Sequence, residues 1–242
     1  MEVGSFQSGS GTRSFIASSS ISKARLSRCG QHRRAELALH QRQGVCGEDG
    51  GVSDLEYRLK HDLEPLLKLA DPRERISAYH DMPYALFRYE PDEEFDLRKQ
   101  VTLLETRLTQ KGKRVKRISL AECLDEAMRS QRPLQEWFTA EREQGTNTIV
   151  ETVHSVLSEY APLVDLVAAR MPDESNPLRD IVFIVRTGAL FPVYRTFSLL
   201  EQLKGRVVVP TVLFYPGDLD GAAGLRFMGV LAAEHNYRPK IF

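Results

Sequence analysis

The sequence predicts an α/β protein: a single three-layer domain on a mainly parallel sheet. Three observations carry that expectation. Short apolar runs rich in β-branched and aromatic residues alternate with segments of helical period. One of those runs, Ile181-Val-Phe-Ile-Val185, is apolar throughout, the pattern of a strand covered on both faces. Several helical segments also open on a cap or a proline in the first turn. With 242 residues and 42% apolar content, the chain has enough material to bury a real core in one or two domains.

In chain order, the first helix is predicted at Ser53, where Ser53-x-x-Glu56 forms a capping box and Leu55, Leu59, Leu63 and Leu66 recur at helical spacing. Pro65 places a kink or an end nearby. Tyr84–Tyr89 is short, aromatic and bounded by prolines, so it reads as a strand. The next helix is the clearest. Pro91 suits its first turn, Asp92, Glu93 and Glu94 complement the positive dipole end, and Leu97, Val101, Leu104 and Leu108 form one stripe. Val115–Ile118 reads as a second strand, and Ser119-x-x-Glu122 caps a helix reaching about Arg129. Leu134–Glu143 reads as a helix with Trp137 and Phe138 inward. Thr148-x-x-Glu151 reads as the cap of another, with Val150, Val153, Leu157 and Tyr160 toward the core until Pro162 bends or restarts it. After the Ile181–Val185 strand, Pro192 starts a helix lined by Val193, Phe197, Leu200 and Leu203, and Gly205 ends it. Val207–Tyr215 is a strand in which Pro210 removes a ladder donor, so it lies at an edge or starts after the proline. Leu225–Val230 is a candidate last strand.

Residues 1–52 read differently. The first 47 carry seven bases against two acids, a surplus of five positive charges, while the remaining 26 bases and 31 acids leave five negative. The segment holds nine serines and no sustained period, so burial cannot offset its ordering entropy, and disorder is expected. Its acid-poor, Ser- and Arg-rich composition resembles a transit peptide. The preferred reading is an extension upstream of the natural start, because organised sequence begins abruptly after Val52. Cys29, His32, His40 and Cys46 have possible zinc-ligand chemistry, but their second pair is loosely spaced, and a chance arrangement is preferred. No disulfide framework follows from three irregularly spaced cysteines. No run of about 18 apolar residues is present to span a membrane.

Residue chemistry alone assigns no activity. There is no phosphate-binding G-x-x-x-x-G-K-[ST], no G-x-S-x-G, no H-E-x-x-H and no C-x-x-C, so no cofactor, metal or catalytic residue is assigned. Gly217, Gly221 and Gly224 read as a glycine turn. Asp218 and Asp220 are expected just past the strand ending at Tyr215, with turn residues the preferred reading over a metal or acid–base role. His154 reads as a packed or boundary histidine. Arg186, Arg195 and Arg226 are expected near the C-terminal rim of the strands, where ligands usually bind; they would grip phosphate or carboxylate there, or serve as internal salt bridges. The run Lys111, Lys113, Arg114, Lys116, Arg117 reads as a solvated turn and edge strand in preference to a nucleic-acid surface.

A longer set of motifs carries a family resemblance. Asp180-Ile-Val-Phe-Ile-Val-Arg-Thr-Gly-Ala-Leu-Phe-Pro-Val-Tyr-Arg195, Val209-Pro-Thr-Val-Leu-Phe-Tyr-Pro-Gly217, Leu225-Arg-Phe-Met-Gly229 and His235-Asn-Tyr-Arg-Pro-Lys-Ile-Phe242 resemble the BrxB family of BREX bacteriophage-exclusion systems. The likeness covers about Ser53 to Phe242 and divides the chain into an extension, 1–52, and a BrxB-like domain, 53–242. It implies a cytoplasmic, non-enzymatic core subunit of an anti-phage complex. The expected partners are a PglZ-like protein of the alkaline-phosphatase superfamily and a BrxC-like ATPase; the net negative charge of the body argues against direct DNA contact, and the missing apolar run against a membrane. It brings no catalytic residues. The alternative is an enzyme or nucleotide-binding module on the rim around Arg186, Arg195, Asp218 and Arg226. Candidate ligand- or partner-binding residues are Arg186, Tyr194, Arg195, Asp218, Asp220, Arg226, Tyr237 and Arg238, because Tyr and Arg dominate interface hot spots.

Overall fold

The structure is a computed structural model, and it describes residues 53–76, 83–221, 224–234 and 239–242. The expected disordered extension, the Cys29–Cys46 quartet, Tyr237 and Arg238 lie outside the described residues.

Helix α1 (Asp54–Arg58) opens where the Glu56 amide donates to the Ser53 hydroxyl at 3.2 Å. Only that half of the capping box forms, because Glu56 turns its carboxylate to Lys60 and Gln100. The helix widens into a π-turn (Leu59–Leu63) and resumes as α2 (Glu64–Leu67). Pro65 accounts for the widening: it lacks an amide proton and its ring crowds the carbonyl four residues back. The same device recurs at Val156–Tyr160 ahead of Pro162, where the Ala161 amide reaches the Val156 carbonyl at 2.8 Å.

A short helix α3 (Arg73–Ile76) precedes strand β1 (Tyr84–Tyr89). A 3-10 turn at Pro91–Glu93 leads into α4 (Glu94–Gln110), whose stripe of Leu97, Val101, Leu104 and Leu108 is buried as its spacing requires. Strand β2 (Arg114–Ser119) is followed by α5 (Leu120–Gln131), α6 (Leu134–Gln144), α7 (Thr146–Ser155) and α8 (Leu163–Ala168). Then come β3 (Asp180–Val185), α9 (Thr196–Leu203), β4 (Thr211–Asp220), β5 (Gly224–Phe227) and β6 (Lys240–Ile241).

The strands order as β2-β3-β4-β1-β6, all parallel, and β5 adds antiparallel to β4. Alternate residues feed two cores. Ala85, Phe87, Tyr89, Ile181, Phe183, Val212 and Phe214 pack under α1, α2 and α4. On the other face Tyr84, Leu86, Val182, Ile184, Leu213 and Tyr215 pack under the elements from α5 to α9. This is the predicted three-layer α/β arrangement. The apolar runs Ile181–Ile184 of β3 and Val212–Tyr215 of β4 follow from it, since neither face of the sheet meets water there.

Several local expectations are corrected. Of the two placements that Pro210 allowed, the second holds and the edge does not: strand β4 is central and starts after Pro210, whose carbonyl accepts from the Val182 amide at 2.9 Å. It also runs to Asp220, five residues past Tyr215. Asp218 and Asp220 are therefore strand residues paired with Arg226 and Gly224, and Gly217 lies inside the strand. Thr148 does not cap a helix. Gly145 precedes α7, and the Thr148 hydroxyl donates back to the Gln144 carbonyl at 3.1 Å. Phe138 is exposed because the neighbouring Trp137 takes the buried position, and Tyr160 is exposed at the end of the Val156–Tyr160 π-turn, whose wider winding departs from the period of the stripe.

Two buried charges hold the layers, Glu64 joining helix to helix and Lys113 joining the helical layer to the sheet. Glu64 is 3% exposed and receives Arg107 of α4 at 2.8 Å and Lys68 at 2.6 Å. Burial alone would raise its pKa, but the hydrogen bonds from Arg107 and Lys68 outweigh it and hold the carboxyl below its ordinary value. Lys113 donates its ammonium to the carbonyls of Leu69, Ala70 and Leu178, closing the end of the N-terminal helix against the approach to β3. Burial lowers its pKa.

Two predictions follow from this packing. Glu64→Gln should cost about 2 kcal/mol at pH 7, the scale of hydrogen bonds to a charged group. Because the folded pKa is depressed, the contribution is present above the unfolded value of about 4.3 and is lost as pH falls through the folded one. Urea unfolding of parent and variant at pH 7 and in acid should show the gap closing. Gly217 has φ of 149°, and a Cβ there would stand 2.1 Å from the Arg226 carbonyl oxygen. Gly217→Ala should therefore cost about 3 kcal/mol or more, read as a drop in the urea midpoint; an unchanged midpoint would contradict this hairpin geometry.

Candidate functional site at the strand C-terminal rim

A parallel sheet delivers every strand C-terminus to one edge. Tyr89, Ser119, Arg186 and Pro216 arrive there from β1, β2, β3 and β4. The chain leaving β1 turns to α4 on one face, while the chains leaving β2 and β3 turn to helices on the other. Such a divergence opens a crevice beyond the strand ends.

Arg186 stands at its centre. It ends β3 in a left-handed conformation, φ 61° and ψ 35°, and begins a 3-10 turn, Thr187–Leu190. Its Nε lies 3.4 Å from Oε1 of Glu94 at the start of α4. Arg98 Nε donates to the same oxygen at 2.8 Å, and the Tyr89 hydroxyl donates to the other oxygen, Oε2. Tyr89 is fully buried; burial first, then this hydrogen bond, raises its pKa well above the ordinary tyrosine value, so it acts as a fixed donor. Two adjoining grooves share Glu94, Arg98 and Arg186. The larger, about 390 Å³, runs beside α4 past Arg117, Ser119 and Glu122. The smaller, about 210 Å³, reaches Tyr89, Gly188, Pro216 and Met228.

The other candidates lie elsewhere. Arg195 precedes α9 instead of lying in its first turn, and it pairs with Glu234 at 3.0 Å. Glu234 is itself bridged to Leu225 of β5 through both backbone groups. Arg226 is exposed on β5, with Nη2 3.4 Å from Asp220 Oδ1. Asp218 is half-buried opposite Arg226. The three arginines thus enter three separate ion pairs, with Glu94, Glu234 and Asp220, the internal salt bridges that were one of their two expected roles. Asp180 instead holds Arg114 in a bidentate pair at 2.6 and 2.8 Å. Tyr194 is 3% exposed; its hydroxyl accepts from Gln202 at 3.1 Å, and burial raises its pKa. His154 is exposed and not packed in the core, with its Nδ1 2.9 Å from the Val193 carbonyl and its ring 5.8 Å from that of Tyr194.

Sequence reasoning missed Tyr89, Glu94 and Arg98. The Glu94–Arg98 spacing of four was a visible helical ion-pair signal. Their meeting with Arg186, 88 residues beyond Arg98, was not. Among the described residues no group of three His, Cys, Asp or Glu side chains gathers to hold a metal. Cys123 is buried, and its thiol is pushed up to about 11, chiefly by burial, which leaves almost no thiolate near neutrality.

Comparison with known proteins agrees with the linear motifs. The family described as BREX protein BrxB matches residues 116–241, just over half of the chain. A curated relative, BREX protein BrxB of Bacillus cereus (strain H3081.97), is 27% identical over 186 residues, spanning 75% of this chain and 95% of the relative. No solved structure matches. The matched segment contains β3, β4, β5 and the 3-10 turn that carries Arg186, and on that evidence the chain belongs to the BrxB family of BREX proteins.

Proposed function

We propose that this protein is a non-enzymatic core subunit of a BREX anti-phage complex and that it docks the PglZ-like and BrxC-like components through the β4–β5 hairpin and the start of α9. Family membership supplies the anti-phage setting. The observation that carries the docking surface is the overshoot of β4. Its pairing with β1 stops at Pro216, and Gly217–Asp220 continue with β5 alone, beyond the end of the sheet. Leu219 is 53% exposed on this projection beside Arg226, Val230 in the turn after β5 is 71% exposed, and Arg195 is tied through Glu234 to Leu225 near the hairpin tip. Exposed apolar side chains among arginines have the composition of an interface hot spot.

The basic run supports a protein partner over DNA. Lys113 is buried, Arg114 is held by Asp180, and Arg117 by Glu105 at 3.0 Å, which leaves Lys111 and Lys116 as the members without such a role. No helix among the described residues is long and apolar enough to cross a membrane.

Co-purification of the tagged protein with the PglZ-like and BrxC-like proteins tests the reading. Leu219→Asp and Arg226→Ala, checked for folding by circular dichroism, should each weaken capture by about 30-fold, the equivalent of about 2 kcal/mol. Undiminished capture by both folded variants would remove the hairpin as the docking surface. Failure of the parent to capture either component would remove the assembly role itself.

A further inference from the structure

We infer that the rim crevice is a binding site for a small phosphate monoester of mononucleotide size, gripped between the guanidinium groups of Arg98 and Arg186. The inference is independent of the hairpin docking surface.

The geometry is that of two arginines held by the wrong end to be finished. Arg98 is anchored through Nε to one oxygen of Glu94 at 2.8 Å, Arg186 Nε faces the same oxygen as an ion pair at 3.4 Å, and the other oxygen is occupied by the buried Tyr89 hydroxyl. Neither Nη fork makes a hydrogen bond to any described residue. The side chains remain 39% and 41% exposed and line both adjoining grooves. Arg98 is steadied further by the Phe95 ring, 4.8 Å from its guanidinium carbon. A guanidinium fixed at Nε presents its Nη pair in a preset plane, and that is the fork which binds phosphate in a bidentate way. One carboxylate against two guanidiniums also leaves a net positive charge at the point where the grooves meet.

Backbone strain at the same place is a second observation. Arg186 is one of two described non-glycine residues with positive φ. A left-handed arginine costs about 1–2 kcal/mol relative to glycine, and such strain is retained where a side chain must be aimed. The sequence around it, Arg186-Thr-Gly-Ala, places a glycine two residues later, where it does not relieve this strain. The larger groove, about 390 Å³, falls in the range of small-molecule sites and lies at the divergence of the strand connections, where α/β sheets bind ligands.

The experiment is isothermal titration of the full chain at physiological salt with inorganic phosphate, AMP and, as a carboxylate control, citrate. Saturable binding of AMP or inorganic phosphate is expected, and tighter binding of AMP would show that the groove also holds the nucleoside. Arg186→Gly removes the fork while relieving the left-handed backbone, so the variant should melt no lower than the parent and still bind at least tenfold more weakly. Arg98→Gln should weaken binding similarly, which provides a second reading if either variant misfolds. The proposal is overturned if the parent binds neither phosphate probe below millimolar concentration, if citrate binds as tightly as both, or if the folded variants bind like the parent. None of these outcomes touches the hairpin variants, so the two ideas fail separately.

Discussion

Everything in this domain depends on the parallel pairing of β1 with β4, which joins the first strand among the described residues to a late one through six registered positions, Tyr84 to Tyr89 against Thr211 to Pro216. Parallel strands cannot be joined by a tight turn, so the intervening chain must leave the sheet, cover a face and return. Here it does so on both faces, with α4 on one and the helices from α5 to α9 on the other. The pairing also brings Phe87 opposite Phe214, with ring centroids 5.7 Å apart, and Phe183 of β3 meets Phe214 edge-on at 5.4 Å. That aromatic row lies under α4, and it is through this layer that Glu94 and Arg98 come to stand over the end of β3.

The same constraint explains where charge is tolerated inside the structure. A sheet covered on both faces leaves its helix ends and strand starts with backbone groups that water no longer reaches. Lys113 satisfies three such carbonyls at one end. Asp180 accepts both Arg114 and the Asn176 amide beside it. Glu64 ties α2 to α4 across the covering layer. These groups are structural joints at or near the sheet's N-terminal edge and in the helical layer. At the opposite edge the charges are arranged differently, with arginine forks left over after their anchors are met, and that asymmetry separates the end that holds the fold from the end suited to ligands and partners.

Two distinct surfaces therefore lie on the C-terminal side of the sheet. One is the crevice, concave and positively charged, formed where the connections diverge. The other is the hairpin, which projects because β4 outruns its parallel neighbours and which carries apolar side chains into solvent. A BREX subunit with both would have a means of assembly that does not compete with its own ligand site. Gly217 lies where the two meet: Arg88 Nη1 is 3.4 Å from its carbonyl oxygen, while its backbone admits the close approach of Arg226 in β5.

The sequence by itself determined the fold class, the buried strand at Ile181–Val185, the α4 stripe and the family, because each is written in local periodicity or in an unbroken linear motif. It also located Arg186 at the end of a strand. It did not show that Phe138 faces solvent, since either of two adjacent aromatic residues can satisfy the same period, nor that Tyr160 does, since the π-turn ending at Tyr160 breaks that period. Nor did it show that β4 continues past Pro216, because residues Gly217–Asp220 have the composition of a turn and become a strand only through pairing with β5. The quartet of Tyr89, Glu94, Arg98 and Arg186 was decided by tertiary structure alone. Ion pairing acts over a few ångströms, and only the parallel β1–β4–β3 register carries residues from the first and last thirds of the domain to within that distance.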